Sequence, residues 1–208
     1  MAANKMKLIR EDIFPTSIYC TDNVLDKTSL QSIKTDIFNS YKKDPRVNWQ
    51  SKPNLHQSEM YKPLVDKIVE CGKRIFDGNK IVYSGFKITD MWSNVSKQGE
   101  FHRPHTHSNN YLSGVYYVQS SHNNRADIQF YDPRPQADVI TPSVTETTRH
   151  NSHIWYYPSL ENRMLFFPSW LQHYVPTNNS ELPRSSIAFN IMLTGKVGAD
   201  HDLQSAEF

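Results

Sequence analysis

The chain changes character at Lys80, and this change restricts the folds open to it more than any other feature. Residues 80–193 contain short runs of β-branched and aromatic residues separated by turn-forming residues, as in YLSGVYYVQ, ADIQFYD and RMLFF. Runs of this length and composition are typical of β-strands. This part of the chain is therefore expected to form about seven or eight short strands.

The last of these runs, from Arg184 to Leu193, has two different faces. Side chains alternate across a β-strand, so every second residue shares a face. One face is small and polar and the other is mostly apolar: the first carries Arg184, Ser186, Ala188 and Asn190, and the second carries Ser185, Ile187, Phe189, Ile191 and Leu193. The polar face is expected to line a pocket, and the apolar face needs a cover.

Two amphipathic helices are predicted before the sheet, and they are the candidate cover. Between Asn23 and Tyr41 apolar residues recur at three- and four-residue steps, which is the helical period. A second stripe follows Ser58, a candidate N-cap, and ends near Gly78, a candidate stop signal. The residues expected to pack on the outer apolar face are Ile33, Ile37, Leu64 and Ile68.

This order of elements predicts a single α+β domain over residues 1–208 whose sheet part is a sandwich or jelly roll. Residues 1–79 would form a helical support, 80–193 the jelly-roll core, and 194–208 a polar tail without a periodic pattern. Such a terminal segment is either poorly ordered or bound to a partner subunit, so a homodimer is one possible assembly.

A long loop and the strand before it are expected to border the pocket. Residues 132–152 contain three prolines and little periodicity, and loops of this length are usually lids or binding loops. In the preceding strand, ADIQFYD, apolar and polar residues alternate. Its polar face, with Asp127, Gln129 and Tyr131, is expected to look into the pocket.

Histidines supply a candidate metal site. His105 and His107 are two residues apart, so in an extended strand both imidazoles project from one face. His173 follows much later. If the strands of His173 and Arg184 form a hairpin, Val175 faces Arg184. His173 and Arg184 are then diagonal neighbours, with their Cα atoms about 7–8 Å apart. Because Arg184 can grip a carboxylate at two points, a small dicarboxylate could then bridge the pair.

Other candidate residues surround this set. Asn94 and Tyr111 are candidate contacts for a bound co-substrate, and Trp92 is expected in the core. His102 is expected to turn away from the metal face. The remaining histidines, His201 among them, are expected to be packing or hydrogen-bonding residues.

Five segments resemble the Fe(II)- and 2-oxoglutarate-dependent oxygenases, in particular a small group of such proteins from bacteria and phages. The segments are NWQSKPNL (48–55), the HTH of His105 to His107 followed by YLSGVYYV, FYDPR (130–134), FFPSWLQHYV (166–175) and RSSIAFN (184–190). Together they extend over most of the chain. The resemblance implies a double-stranded β-helix of the cupin-like jelly-roll type, Fe(II) as the metal, and 2-oxoglutarate and O2 as co-substrates.

The resemblance also implies individual roles. His105, His107 and His173 would be the metal ligands, and Arg184 with Tyr117 would bind the far carboxylate of 2-oxoglutarate. The further co-substrate candidates are Asn94, Tyr111, Ser186 and Asn190. The implied reaction is hydroxylation of a C–H bond coupled to oxidative decarboxylation of 2-oxoglutarate, and the sequence does not name the primary substrate, whether protein, peptide or small molecule.

One position departs from the family pattern. Most such enzymes carry an acidic residue where this chain has His107, and three neutral imidazoles leave Fe(II) with its full charge of +2. Asp127 and Asp132 are candidates for the missing carboxylate. Three-histidine sites also bind zinc and copper. Two alternatives therefore stay open: a cupin-like metal-dependent isomerase or hydrolase, and a non-catalytic jelly-roll binding module.

Composition narrows the partners and the location. The formal net charge is only +2, and the basic residues are scattered, so no nucleic-acid partner is expected. No apolar run is long enough to span a bilayer, and the N-terminal residues have no apolar core of a secretory signal. Two cysteines give no disulfide framework, which favours a cytoplasmic location.

Overall fold

The computed structural model describes residues 6–123, 125–198, 203 and 205–208, without the side chain of residue 138. His201 lies outside the described residues. There are two α-helices, α1 (Lys27–Lys43) and α2 (Lys62–Gly78), and short 3-10 helices at Leu55–Gln57, Glu59–Tyr61 and Pro135–Asp138. The strands are β1 (Tyr19–Thr21), β2 (Trp49–Gln50), β3 (Gly85–Ser96), β4 (His102–His105), β5 (Leu112–Gln119), β6 (Ile128–Tyr131), β7 (Ile154–Tyr157), β8 (Met164–Pro168), β9 (His173–Val175), β10 (Arg184–Thr194), β11 (Lys196–Val197) and β12 (Ala206–Glu207).

The helix boundaries follow local capping chemistry. The Asp26 carboxylate accepts a hydrogen bond from the Ser29 backbone N–H at 2.9 Å, which satisfies an unpaired donor in the first turn of α1. The expected cap of α2 at Ser58 is wrong. Ser58 precedes the 3-10 turn Glu59–Tyr61, and α2 begins only at Lys62, where Pro63 occupies the first turn without losing a needed hydrogen bond.

Two antiparallel sheets carry the fold. The major sheet has six strands in the order β1-β8-β5-β10-β3-β2, and the minor sheet has four in the order β4-β9-β6-β7. A separate two-stranded ribbon pairs β11 with β12. Among the described residues, no helix is long and apolar enough to cross a membrane.

The two faces of the major sheet enter two separate apolar cores. Ile33 and Ile37 of α1 and Leu64 and Ile68 of α2 are fully buried, and they share a cluster with the apolar face of β10. Burying an aliphatic side chain of this size contributes roughly 1.5–3 kcal/mol. The second core lies on the inner face and consists of Val115, Tyr117, Ile128, Phe130, Leu165, Phe167 and Leu171.

The inner core explains why the expected orientation of β6 is wrong. Ile128 and Phe130 are buried in the inner core, whereas Gln129 lies on the opposite face and accepts a hydrogen bond from the Tyr174 hydroxyl. The inner core fills the space beside β6 with apolar side chains, so the polar face of this strand turns away from it.

The expected hairpin between His173 and Arg184 is also wrong. β9 pairs with β4 and β6 in the minor sheet, whereas β10 pairs with β3 and β5 in the major sheet. The intervening residues contain Pro176 and Pro183, and proline interrupts a β-ladder because it has no N–H. The chain therefore crosses from one sheet to the other, and Arg184 stands opposite Ser96.

Candidate metal and dicarboxylate site

Three histidines meet at the end of the minor sheet. One ring nitrogen from each of His105, His107 and His173 lies within 4.8 Å of the others. The ring centroids are 4.4 Å apart for His105 and His173, 5.1 Å for His105 and His107, and 5.2 Å for His107 and His173. The structure thus brings together the three histidines selected from the sequence.

The backbone positions the three rings in different ways. His105 ends β4 and is the direct register partner of His173 on β9. His107 lies beyond the end of β4, and its backbone N–H donates to the Ser169 carbonyl at 2.9 Å. The spacing argument had assumed that strand alternation positions His107. Instead, a loop that is hydrogen-bonded to the residues before β9 positions it.

Hydrogen bonds to the backbone orient two of the rings. Nδ1 of His105 lies 2.7 Å from the Arg103 carbonyl, and Nδ1 of His173 lies 2.9 Å from the Leu171 carbonyl. A carbonyl oxygen only accepts, so each Nδ1 carries the hydrogen, and each Nε2 is left with a free lone pair. This arrangement is usual for histidines that bind a metal.

Burial keeps the rings in the form that a metal requires. Burial lowers the pKa of His173 to about 3 and the pKa of His107 to about 4. Both are therefore neutral near pH 7, and a neutral imidazole is the ligand form. The donor set fits a divalent transition metal.

A cavity of about 280 Å³ extends from the histidines between the two sheets. It is lined by polar and aromatic side chains and by small residues: Gln50, Trp92, Asn94, His102, Arg103, His105, His107, Gly114, Val115, Ile128, Phe167, His173, Val175, Arg184, Ser186 and Ala188. The expected polar face of β10 does line a pocket, through Arg184, Ser186 and Ala188.

Arg184 is a buried cation without a carboxylate partner in the part of the chain that the structure describes. Its side chain is 3% exposed, its Nε has no hydrogen-bond partner, and its Nη1 donates only to the Ser186 hydroxyl at 3.2 Å. The guanidinium carbon lies 5.2 Å from the centre of the Tyr117 ring. A buried unpaired charge is costly, so this end of the cavity is suited to an anion.

The Tyr117 hydroxyl is a second unused donor near Arg184. It is buried, and among the described residues its O–H donates to no protein group, while Arg184 lies close to its oxygen. Burial raises the pKa of Tyr117 to about 12, and the positive charge of Arg184 opposes that rise. The phenol is therefore protonated at neutral pH and can donate to an anion.

The other candidate residues have different positions. Asn94 lines the cavity and its Oδ1 accepts from Gln50 Nε2 at 2.9 Å. Asn190 is buried and its Oδ1 accepts from the Ser113 hydroxyl, but it is not among the lining residues. The expectation that Tyr111 contacts the co-substrate is corrected. Its ring packs against Phe76 of α2, with the two ring centroids 5.8 Å apart, and Tyr111 is 43% exposed. That contact lies on the helix side of the major sheet.

Neither suggested carboxylate reaches the histidines. Asp127 accepts from the backbone N–H and hydroxyl of Ser159 and pairs with Arg125. Asp132 pairs with Arg134. Both have local partners and neither belongs to the histidine cluster, so the expectation that one of them supplies a ligand is not supported by the geometry.

Sequence reasoning missed several lining residues. His102 was expected to face away, but the pairing of β4 with β9 shifts register between His102 and His105, and His102 lines the cavity. Pro104 lies within this shift, and a proline in a strand is a signal of such irregularity. Trp92 also lines the cavity, with its ring 6.0 Å from that of His107. Gln50 lies in the segment NWQSKPNL that carries the resemblance, but neither it nor Arg103 was singled out as a site residue.

Solved structures with the same architecture support the fold assignment. The alpha ketoglutarate dependent epimerase SnoN from nogalamycin biosynthesis is 12% identical, with a TM-score of 0.65 over 90% of this chain and 83% of that chain. A prolyl-4-hydroxylase from Pseudomonas putida is 10% identical, with a TM-score of 0.64 over 86% and 94%. HygX from Streptomyces hygroscopicus, solved with nickel and 2-oxoglutarate, is 13% identical, with a TM-score of 0.61 over 93% and 91%. The predicted double-stranded β-helix is confirmed.

The sequence of the sheet core matches one protein-family model. Residues 90–190 match the family described as "Putative 2OG-Fe(II) oxygenase", and this range includes the three histidines, Tyr117 and Arg184. A comparison with curated protein sequences finds no match. This part of the chain is therefore similar to the 2OG-Fe(II) oxygenase family.

Proposed function

We propose that the protein is an Fe(II)- and 2-oxoglutarate-dependent dioxygenase that hydroxylates a C–H bond. One observation carries the proposal: a single cavity is lined both by three convergent imidazoles and by the buried, unpaired Arg184. A dicarboxylate that reaches both a metal and Arg184 is the simplest ligand for such a cavity. The architecture shared with enzymes solved with 2-oxoglutarate supports this choice.

In the proposed site His105, His107 and His173 hold the metal. The Nδ1–H groups of His105 and His173 donate to backbone carbonyls and keep each Nε2 directed at the metal position. Fe(II) bound there supplies the redox chemistry that couples oxidative decarboxylation of 2-oxoglutarate by O2 to substrate hydroxylation. The site has no carboxylate ligand, so it attracts a dianionic co-substrate more strongly than a site with one carboxylate would.

Arg184 and Tyr117 receive the far carboxylate of 2-oxoglutarate. The guanidinium Nε and the phenol hydroxyl are buried donors that no protein group uses, and leaving such donors unpaired costs about 1–3 kcal/mol each. His102 and Ser186 line the same region of the cavity and add polar contacts. Asn94 and Asn190 stay as candidates that shape the wall and its hydrogen bonding.

The remaining assignments are also proposals. Residues 132–152, which connect β6 to β7, would select the primary substrate. We infer a cytoplasmic protein because Cys20 and Cys71 are free thiols, without a nucleic-acid or membrane partner. A homodimer formed through the tail is the assembly to test. The single domain would comprise the support of residues 1–79, the core of 80–193 and the tail.

Anaerobic titration tests the proposal directly. Fe(II) is added to the metal-free protein, followed by 2-oxoglutarate, while the visible absorption is recorded. We expect a metal-to-ligand charge-transfer band that saturates at one equivalent of 2-oxoglutarate, and succinate formation after O2 is admitted. Iron binding without the band would contradict the proposal and favour the cupin-like metal enzyme. Absence of any metal binding would favour the non-catalytic module.

A further inference from the structure

The cavity is positively charged beyond what its proposed co-substrate requires. Two arginines, Arg103 and Arg184, line it, and no aspartate or glutamate is among the lining residues that the structure describes. Arg184 is buried, whereas Arg103 is exposed and lies on β4 at the open side of the cavity. Within the described residues, the Arg103 side chain forms no ion pair or hydrogen bond with an acidic group.

The backbone of Arg103 is hydrogen-bonded to a residue of the metal site. Its carbonyl accepts the Nδ1–H of His105 at 2.7 Å, and it lies two residues before that ligand. An anion held by the Arg103 guanidinium would therefore lie within side-chain reach of the histidine cluster. This position is what a substrate-anchoring residue needs, because the reacting carbon must be presented to the metal at a fixed distance.

The size of the cavity leaves the primary substrate at the mouth. Small-molecule sites usually measure roughly 300–1,000 Å³, and this cavity measures about 280 Å³. A cavity of this size that also holds a metal and one 2-oxoglutarate leaves little room for a second, larger ligand. The primary substrate is therefore expected to approach from the open side, where the exposed Arg103 lies.

The charges of the lining residues lead to the same place. In the proposed complex, the two carboxylates of 2-oxoglutarate contact the metal and Arg184, and no aspartate or glutamate is among the lining residues that the structure describes. The exposed Arg103 guanidinium is then available for a further anion.

We propose that the primary substrate carries an anionic group, a carboxylate or a phosphate, that Arg103 binds at the mouth of the cavity. The inference rests on the proposed function, since it assumes that 2-oxoglutarate occupies Arg184. A planar guanidinium binds both kinds of oxyanion at two points. The group to be hydroxylated would lie on the cavity side of that anchor.

Calorimetric titration with acetate and with sulfate tests the proposal, because acetate stands for a carboxylate and sulfate for a phosphate. The full chain is first saturated with Zn(II), which is redox-inert, and with 2-oxoglutarate, and ionic strength is held constant with sodium chloride. We expect saturable binding of at least one probe, weakened about tenfold or more in Arg103→Gln. Arg74→Gln is the matched control, because it removes the same charge from exposed helix α2.

The outcomes separate the two hypotheses. Failure of 2-oxoglutarate to bind in the first step would reject the proposed function, before either probe is added. Normal 2-oxoglutarate binding followed by no saturable probe binding, or by equal affinity of Arg103→Gln and wild type, would reject the anionic-substrate proposal alone. Arg103→Lys keeps the charge but loses the two-point contact, so its affinity for the probes should lie between those of wild type and Arg103→Gln. A folding defect in Arg103→Gln would therefore not leave the question open.

Discussion

His105 on β4 and His173 on β9 stand directly opposite each other in the register of the minor sheet, with ring centroids 4.4 Å apart. Backbone pairing therefore fixes two of the three candidate ligands, and hydrogen bonds to carbonyls fix the rotation of both rings. His107 lies outside the strands, so backbone pairing does not position it. It is the position at which the site can change its charge while the other two ligands stay in place.

Replacement of His107 tests the three-histidine site. His107→Ala should reduce metal binding sharply, because two imidazoles hold a divalent ion much less strongly than three. His107→Asp restores a carboxylate and should still bind Fe(II), although a shorter side chain that shifts the metal by about an ångström can lower the rate by roughly a hundredfold. Metal content is measured by atomic absorption, with exposed His122→Ala as the control. Unchanged metal content in His107→Ala would show that the ligand is elsewhere.

Arg184 should govern co-substrate affinity without governing metal affinity. In Arg184→Lys the charge is kept but the two-point contact with a carboxylate is lost. Affinity for 2-oxoglutarate should fall about ten- to a hundredfold, since a hydrogen bond to a charged group contributes about 1.5–3 kcal/mol. Titration calorimetry measures both ligands, and Arg134→Lys, at an exposed loop position, is the control. A parallel loss of metal affinity would count against the assignment.

The metal-free protein should lose stability in mild acid. Burial lowers the pKa of His102 and His107 to about 4 and that of His173 to about 3, from an ordinary value of 6.5. Below pH 6.5 the unfolded chain binds protons that the folded chain does not, so the free energy of unfolding falls as the pH falls from about 6.5 towards 4. Each group contributes up to about 1.4 kcal/mol per pH unit. In urea unfolding curves, His173→Gln should show a smaller slope with pH than wild type, and an equal slope would contradict the prediction.

Local patterns in the sequence were sufficient for the helices and for most of the strands. The three-to-four periodicity of α1 and α2 and the alternation of β10 depend only on neighbouring residues, and each reports a face that must be buried. The polar face of β10 was correctly expected to line a pocket. The resemblance then linked His105, His107, His173 and Arg184, which are far apart in the chain.

The relation between the sheets was not available from local patterns. Two consecutive strands have the same sequence pattern whether they pair as a hairpin or belong to different sheets. His173 and Arg184 were therefore predicted on adjacent strands, although they lie on opposite sheets. The prediction of the inward face of β6 was wrong for a similar reason, since alternation shows that a strand has two faces but not which one lies inside. The predicted orientation of His102 was wrong because the register of β4 shifts between His102 and His105, and strict alternation does not hold across such a shift.

The helical cover should contribute strongly to stability. Leu64 on α2 is fully buried in the outer core, whereas Val69 on the same helix is 42% exposed. Leu64→Ala should lower the free energy of unfolding by about 2–5 kcal/mol, because it removes buried methyl groups and leaves a cavity. Val69→Ala is the matched control and should change it by about 0.5 kcal/mol or less. Similar values for both in urea denaturation would show that α2 does not pack against the sheet as described.

Gly114 allows the two cores to lie close to the strand that separates them. A Cβ at this position of β5 would lie 2.2 Å from Cζ of Phe189 and 2.6 Å from the Leu165 carbonyl oxygen, and the Phe166 and Phe189 rings, with centroids 5.1 Å apart, fill the adjacent space. Gly114→Ala should therefore lower the free energy of unfolding by about 1–3 kcal/mol through overpacking. The same substitution at Gly78, in the last turn of α2, meets no atom within 4 Å and should stabilise by up to about 1 kcal/mol. Thermal and urea denaturation of both variants measure the difference, and a Gly114→Ala protein as stable as wild type would mean that β5 can move away from Phe189 at little cost.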